Sequence, residues 1–205
     1  MVRSDKETVV EGKIVIAFDI CSSSDIIEDL SLTQNLKVMR HLVIALRNFL
    51  QRKSRTYRFE IYKFTGDGWI LLFPESTAGK DLMHFLTELA VFVKGKLATL
   101  VVPFLEIVPE IMGITCGVER GPLLRMVMMN KTEYIGRALN IACRLQNAIK
   151  DNDPHPEYKV LVSRHVFRTL LRDLDEYKPK PAVRTLRNIR GGKKYRCVKL
   201  HLPVE

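Results

Sequence analysis

Two aspartates stand where apolar runs end: Asp67, inside Thr65-Gly66-Asp67-Gly68, and Asp19, at the close of Ile14 to Phe18. Glycines on both sides of Asp67 leave its carboxylate clear, so a cation or a phosphate approaches it closely. Asp19 leads into Ile20-Cys21-Ser22-Ser23-Ser24-Asp25, which opens a helical pattern. Free backbone N–H groups at a helix start suit a phosphate carried with its metal. Each acid alone also fits ordinary turn or cap chemistry. A third segment carries Asn140 and Arg144 four residues apart. On a helix that spacing puts an amide and a guanidinium on one face, where an Asn/Arg pair is otherwise a solvated surface.

The elements that must hold these groups follow from periodicity. Ile14 to Phe18 reads as a buried strand, and helical pattern continues from the serine turn to about Lys53, with Leu36, Met39, Val43, Leu46 and Leu50 on one face. Arg58 to Phe64 and Trp69 to Phe73 form a hairpin around the Asp67 turn, with Trp69 as core packing. Asp81 to about Ala98 is amphipathic, burying Leu82, Phe85, Leu86, Leu89, Phe92 and Val93. Ile111 to Val118 and Leu124 to Met129 read as a second hairpin across Glu119-Arg120-Gly121-Pro122, with Met126, Met128 and Met129 as packing side chains. A helix is predicted from Gly136 to about Lys150, and Asn152 to Pro156 is a loop. Lys159 to Val162 is a strand, and Ser163 caps a short helix. Val183 to Ile189 with Tyr195 to Leu200 gives a last hairpin across Arg190 to Lys193. The result is α+β: a central, mostly antiparallel sheet with packed helices.

The 205 residues allow one compact domain, expected over 13–205 after an N-terminal extension at 1–12. Cys21, Cys116, Cys143 and Cys197 are scattered without zinc or disulfide spacing, which fits a reducing cytoplasm. The charged start of the chain has no signal-peptide core, and the apolar stretch Leu97 to Ile114 is broken by Pro103, Glu106, Pro109 and Glu110, so no membrane partner is expected. The formal net charge of +10 suits polyanions in general. Its basic residues are spread along the chain with some concentration at Arg184 to Lys199, and no zinc-finger or RNA-binding signature accompanies them. No nucleic-acid partner is expected on that ground.

In order and spacing, the Asp19 strand and turn, the Tyr62-Lys63-Phe64-Thr65-Gly66-Asp67-Gly68 hairpin and Glu133 to Gln146 together resemble the class III nucleotidyl cyclases, over roughly Lys13 to Leu200. The resemblance implies that Asp19, Asp67 and the backbone carbonyl of Ile20 bind two divalent cations, Mn²⁺ or Mg²⁺. Asn140 would orient the ribose and Arg144 would stabilise the transition state. Lys193, or its neighbour Lys194, would close over the phosphates. Lys63 and Glu133 match the positions that read the base. Because family members take the metal aspartates from one subunit and the base-reading residues, asparagine and arginine from the other, a head-to-tail homodimer is implied.

Base polarity alone leaves the substrate open: Lys63 as donor and Glu133 as acceptor match adenine or cytosine, equally uracil, and guanine too presents an oxygen acceptor beside an N–H donor. Glutamate replaces the aspartate usual in adenylyl cyclases. With D-I-C-S-S-S-D and Y-K-F-T-G-D-G-W-I-L-L-F, this resembles the pyrimidine cyclases of Pycsar antiphage defence. UTP is expected first, CTP second and ATP third, with a separate effector protein answering the cyclic nucleotide. Two other classes remain: a nucleotide-binding pseudo-cyclase, and a basic nucleic-acid-binding domain.

Overall fold

The computed structural model describes residues 9–150 and 154–204. Its strands are β1 (Val9–Ile20), β2 (Glu60–Phe64), β3 (Gly68–Pro74), β4 (Ile114–Met128), β5 (Lys131–Ile135), β6 (Lys159–Ser163), β7 (Lys180–Arg184) and β8 (Tyr195–His201). They form one sheet in the order β2-β3-β1-β4-β6-β8-β7, with β5 paired to β4. All pairings are antiparallel except β4 with β6. This is the expected α+β architecture.

Alternation along β1 divides the sheet into two faces. Ile14, Ile16, Phe18 and Ile20 point into the main core with α2 (Lys37–Tyr57) and α3 (Gly79–Lys96). Val15 and Ala17 point the other way, with Ile70 and Leu72, against α4 (Arg137–Lys150). Asp19 continues that second series, so it belongs to the α4 face. Trp69 is buried and stacked on Phe18 at 5.6 Å, as core packing requires.

Several elements differ from the sequence reading. The first helical region is two helices, α1 (Ser23–Leu32) and α2, because Gln34 takes a left-handed conformation and Asn35 N–H bonds the Leu30 carbonyl at 2.7 Å. Leu36 therefore lies outside α2 and is exposed, and Leu42 and Phe49 join the buried face instead. Glu119 to Pro122 is no turn: β4 runs through it, pairing Lys13 with Gly121 and Gly12 with Pro122. Between Val118, where β6 stops pairing, and Leu124, where β5 begins, β4 has an unpaired second edge that tolerates a proline.

The true hairpin is β4–β5. Its two-residue turn, Met129-Asn130, has both residues at positive φ, the geometry that matches strand twist but is usually written Asn-Gly. Of the methionine cluster, Met128 and Met129 are exposed and do not pack, whereas Met126 is half-buried. At the C-terminal end, β7 covers Lys180–Arg184, not Val183 to Ile189. Leu186 turns inward to a small core beneath α4, and left-handed Asn188 breaks the extended run. Ser163 caps α5 (Arg164–Val166) as expected, accepting from Val166 N–H at 3.2 Å. Helical turns continue from α5 through Leu171. Of the expected extension at 1–12, residues 1–8 lie outside the described residues, whereas Val9 to Gly12 already belong to β1; Asn152 and Asp153 of the expected loop are also outside the described residues.

Candidate active site

The two aspartates meet at one end of the sheet. β1 and β3 pair Phe18 with Trp69 and Asp19 with Gly68, bringing the Asp67 turn directly over the end of β1. A Cβ on Gly68 would lie 1.9 Å from the Phe18 carbonyl oxygen, so only glycine permits this approach. Ile20 N–H bonds the Asp67 carbonyl at 3.3 Å, and the Ser23 hydroxyl donates to the Asp67 carboxylate. Asp19, Thr65 and Asp67 line a cavity of about 240 Å³ together with Cys143, Gln146 and Asn147 of α4. Two carboxylates with hydroxyl neighbours form an all-oxygen set, the donor chemistry of Mg²⁺ or Mn²⁺. Ile20, expected to lend its carbonyl, is adjacent but does not line the cavity.

Lys63 and Glu133 are brought together elsewhere on the chain. They line a cavity of about 440 Å³ with Tyr62 and Lys131. A β-bulge produces this meeting. Glu60 pairs with Leu72 and Lys63 with Ile70, a register shift that leaves Tyr62 as the extra residue. Strict alternation from Glu60 would send Lys63 to the opposite face, and the bulge returns it to the face of Ile70, Leu72 and α4. The Tyr62 hydroxyl donates to Glu133 at 2.7 Å and accepts from Tyr134 N–H at 3.2 Å. Burial first, then the Glu133 hydrogen bond, holds the Tyr62 phenol above its ordinary pKa, so it remains a donor. Tyr134 packs edge-on to Tyr62 and donates to Glu60 at 2.9 Å.

Asn140 and Arg144 sit on α4 but do not line the aspartate cavity. Asn140 is exposed and Arg144 half-buried. The helix is held tightly. A Cβ on Gly117 of β4 would fall 2.0 Å from the Ala142 carbonyl oxygen, and Gln146 donates to the Thr115 hydroxyl at 2.7 Å. Lys193 and Lys194 are exposed in a short helical turn before β8. Below that turn, buried Glu119 accepts from Ser163 at 2.7 Å and from Tyr195 at 2.8 Å, tying together β4, β6 and β8. Burial, with Glu119 beside it, pushes the Tyr195 phenol up.

Tyr62, Tyr134, Ser23 and Glu119 carry structure at these sites that the sequence reading did not single out. The serine-rich turn was a visible sign of Ser23. Nothing local announces the bulge that recruits Tyr62.

No protein-family model matches the chain, and no curated protein matches it significantly. Among solved structures it is similar to a bacterial light-regulated adenylyl cyclase, at 15% identity and a TM-score of 0.70 over 95% of this chain and 53% of that one. It is similar also to the adenylyl cyclase CyaB from P. aeruginosa, at 17% identity and 0.68 over 95% and 96%. The guanylyl cyclase Cya2 matches at 13% identity and 0.68 over 96% and 94%. The chain spans about half the length of the light-regulated enzyme. At these identities the likeness defines the fold, which is that of class III nucleotidyl cyclase catalytic domains.

Proposed function

We propose that the chain is a class III nucleotidyl cyclase, converting a nucleoside triphosphate to its 3′,5′-cyclic nucleotide and pyrophosphate at sites shared by two copies. The observation that carries this reading is the division of the chain's groups. Asp19 and Asp67 share one cavity, whereas Lys63 and Glu133 line another, and Asn140 and Arg144 line neither. A head-to-tail homodimer joins the sets into two equivalent sites. The exposed Val127, Met128 and Met129 of the β4–β5 hairpin supply apolar surface for such a partner.

Asp19 and Asp67 would hold two Mg²⁺ or Mn²⁺ ions, whose positive charge favours the 3′-alkoxide and neutralises the triphosphate. The Ser23 hydroxyl orients the Asp67 carboxylate. The start of α1 at Ser23 would offer backbone N–H groups to the phosphate end. Asn140 of the second copy positions the ribose, Arg144 balances charge at the α-phosphate, and Lys193 or Lys194 covers the polyphosphate.

The favoured substrate is UTP, then CTP, then ATP, and the favoured role is a cytoplasmic messenger synthase in antiphage defence that acts through a separate effector. The matched solved structures are titled adenylyl and guanylyl cyclases, so the pyrimidine reading rests on Lys63, Glu133 and the flanking motif residues. The test is to incubate the protein with Mn²⁺ and each of ATP, GTP, CTP and UTP, and to identify products by mass. Cyclic UMP is expected. Cyclic AMP as the main product overturns the pyrimidine assignment, and no cyclic product from a folded dimer with bound metal supports the pseudo-cyclase instead. Asp19→Ala and Asp67→Ala are each expected to lower turnover by about a hundredfold or more while leaving the circular dichroism spectrum intact.

A further inference from the structure

Basic residues occur along the whole chain, but its net positive charge does not. Tyr158 to His201 contains thirteen lysines and arginines against three acids, so this stretch carries the whole +10 and the remainder is neutral. The fold gathers the stretch into β6, α5, β7 and β8 at one end of the sheet. Such segregation is the electrostatic footprint of a polyanion site.

Within it lies a groove of about 610 Å³, lined by Arg164, Phe167, Arg168, Arg172, Val183 and Arg196 among others. Arg164, Arg168 and Arg172 recur every four residues along one helical stretch, and Arg196 comes from the strand beside it. Phe167 and Val183 provide an apolar floor. Among the described residues, Arg164, Arg168 and Arg196 have no carboxylate partner at ion-pair distance, and Arg172 has only its exposed neighbour Asp173 at 3.6 Å.

The chemistry of the groove selects its occupant. Guanidinium groups bind phosphates and also stack on bases, and an apolar, partly aromatic floor accepts the base planes. A membrane surface fits less well, because Val183 is the one large apolar side chain exposed among residues 158–201. An acidic peptide added to the β7 edge meets Pro181 between Lys180 and Arg184, an edge built against pairing. We infer that this groove binds single-stranded nucleic acid, a partner the sequence reading did not expect.

The groove is separate from the candidate active site. Arg196 and Val198 face the α2–α3 side of the sheet, opposite α4, and β8 stands three strands from β1, about 15 Å at ordinary strand spacing. The inference does not depend on cyclase activity, since binding is read without turnover.

The test is fluorescence anisotropy of labelled dT20 and rU20 with the full chain at 50 and 200 mM salt. Four phosphate contacts on a single strand predict about a fiftyfold loss of affinity across that salt range. R164E/R168E/R196E is expected to weaken binding more than tenfold and to reduce the salt slope by about 2. Should that variant not fold, R164Q/R168Q is expected to reduce the slope by about 1.4. Nucleotide cyclisation without added nucleic acid is unchanged in either variant. Absence of binding at 50 mM salt, full affinity in a folded variant, or equal displacement by polyglutamate at matched charge overturns the inference. Preferential binding to phosphatidylglycerol vesicles does so as well.

Discussion

Tyr62 holds a residue of the proposed base pocket in place. Its hydroxyl occupies one Glu133 oxygen and is itself fixed by Tyr134 N–H, so the carboxylate is held in one orientation. Tyr62→Phe keeps the ring packed against Tyr134 and removes only the donor. In the proposed cyclase this is expected to raise KM about fivefold, equivalent to ~1 kcal/mol, with kcat nearly unchanged and discrimination among the four triphosphates reduced. Steady-state kinetics with each triphosphate measure it; an equal loss in kcat for all four places Tyr62 in the chemical step instead. Asp19 and Asp67 were legible in the sequence because a Gly-Asp-Gly turn and an apolar run ending in Asp are local signals. Tyr62 was not, because its role depends on residue 133, 71 positions away.

At the scale of elements, β2 and β5 are linked by three hydrogen bonds through tyrosine hydroxyls that the hairpins alone do not require. Burial first, then the adjacent Glu60 carboxylate, pushes the Tyr134 phenol up to about 12. An acid whose pKa folding raises contributes stability that is complete below its unfolded value of about 10 and is lost as pH rises through the folded value. The urea midpoint should therefore fall between about pH 10 and pH 12, and fall less in Tyr134→Phe. A parallel fall in both proteins would remove Tyr134 from the alkaline transition. Helix and strand identities were mostly readable from periodicity, whereas the continuity of β4 through Glu119 to Pro122 and the strand β5 were not. Gly121-Pro122 has the composition of a turn but lies in a strand whose second edge is unpaired there, and Met129-Asn130 makes the turn without the usual glycine.

For the whole molecule, the separation of the two residue sets makes a prediction that no single-chain site shares. Asp67→Asn and Arg144→Ala are each expected to be inactive as purified homodimers. Mixed in equal amounts and allowed to exchange subunits, half of the dimers are heterodimers with one intact site. About a quarter of wild-type activity should then return. No recovery after exchange is verified by mass spectrometry would show that both sets act within one chain. Among the described residues no helix is long and apolar enough to cross a membrane.

The sequence by itself determined the α+β class, the buried strand that ends in Asp19, the Asp67 hairpin and the Asn140/Arg144 helix, because each depends on side-chain period and turn chemistry within a short window. Only the tertiary structure decided which of these groups share a cavity, since cavities form between residues far apart in the chain. It put Asp19 beside Asp67 through the β1–β3 register, and Lys63 beside Glu133 through a one-residue bulge. It also turned a dispersed set of arginines into the walls of one groove, because the helix at 164–171 packs over β7 and β8.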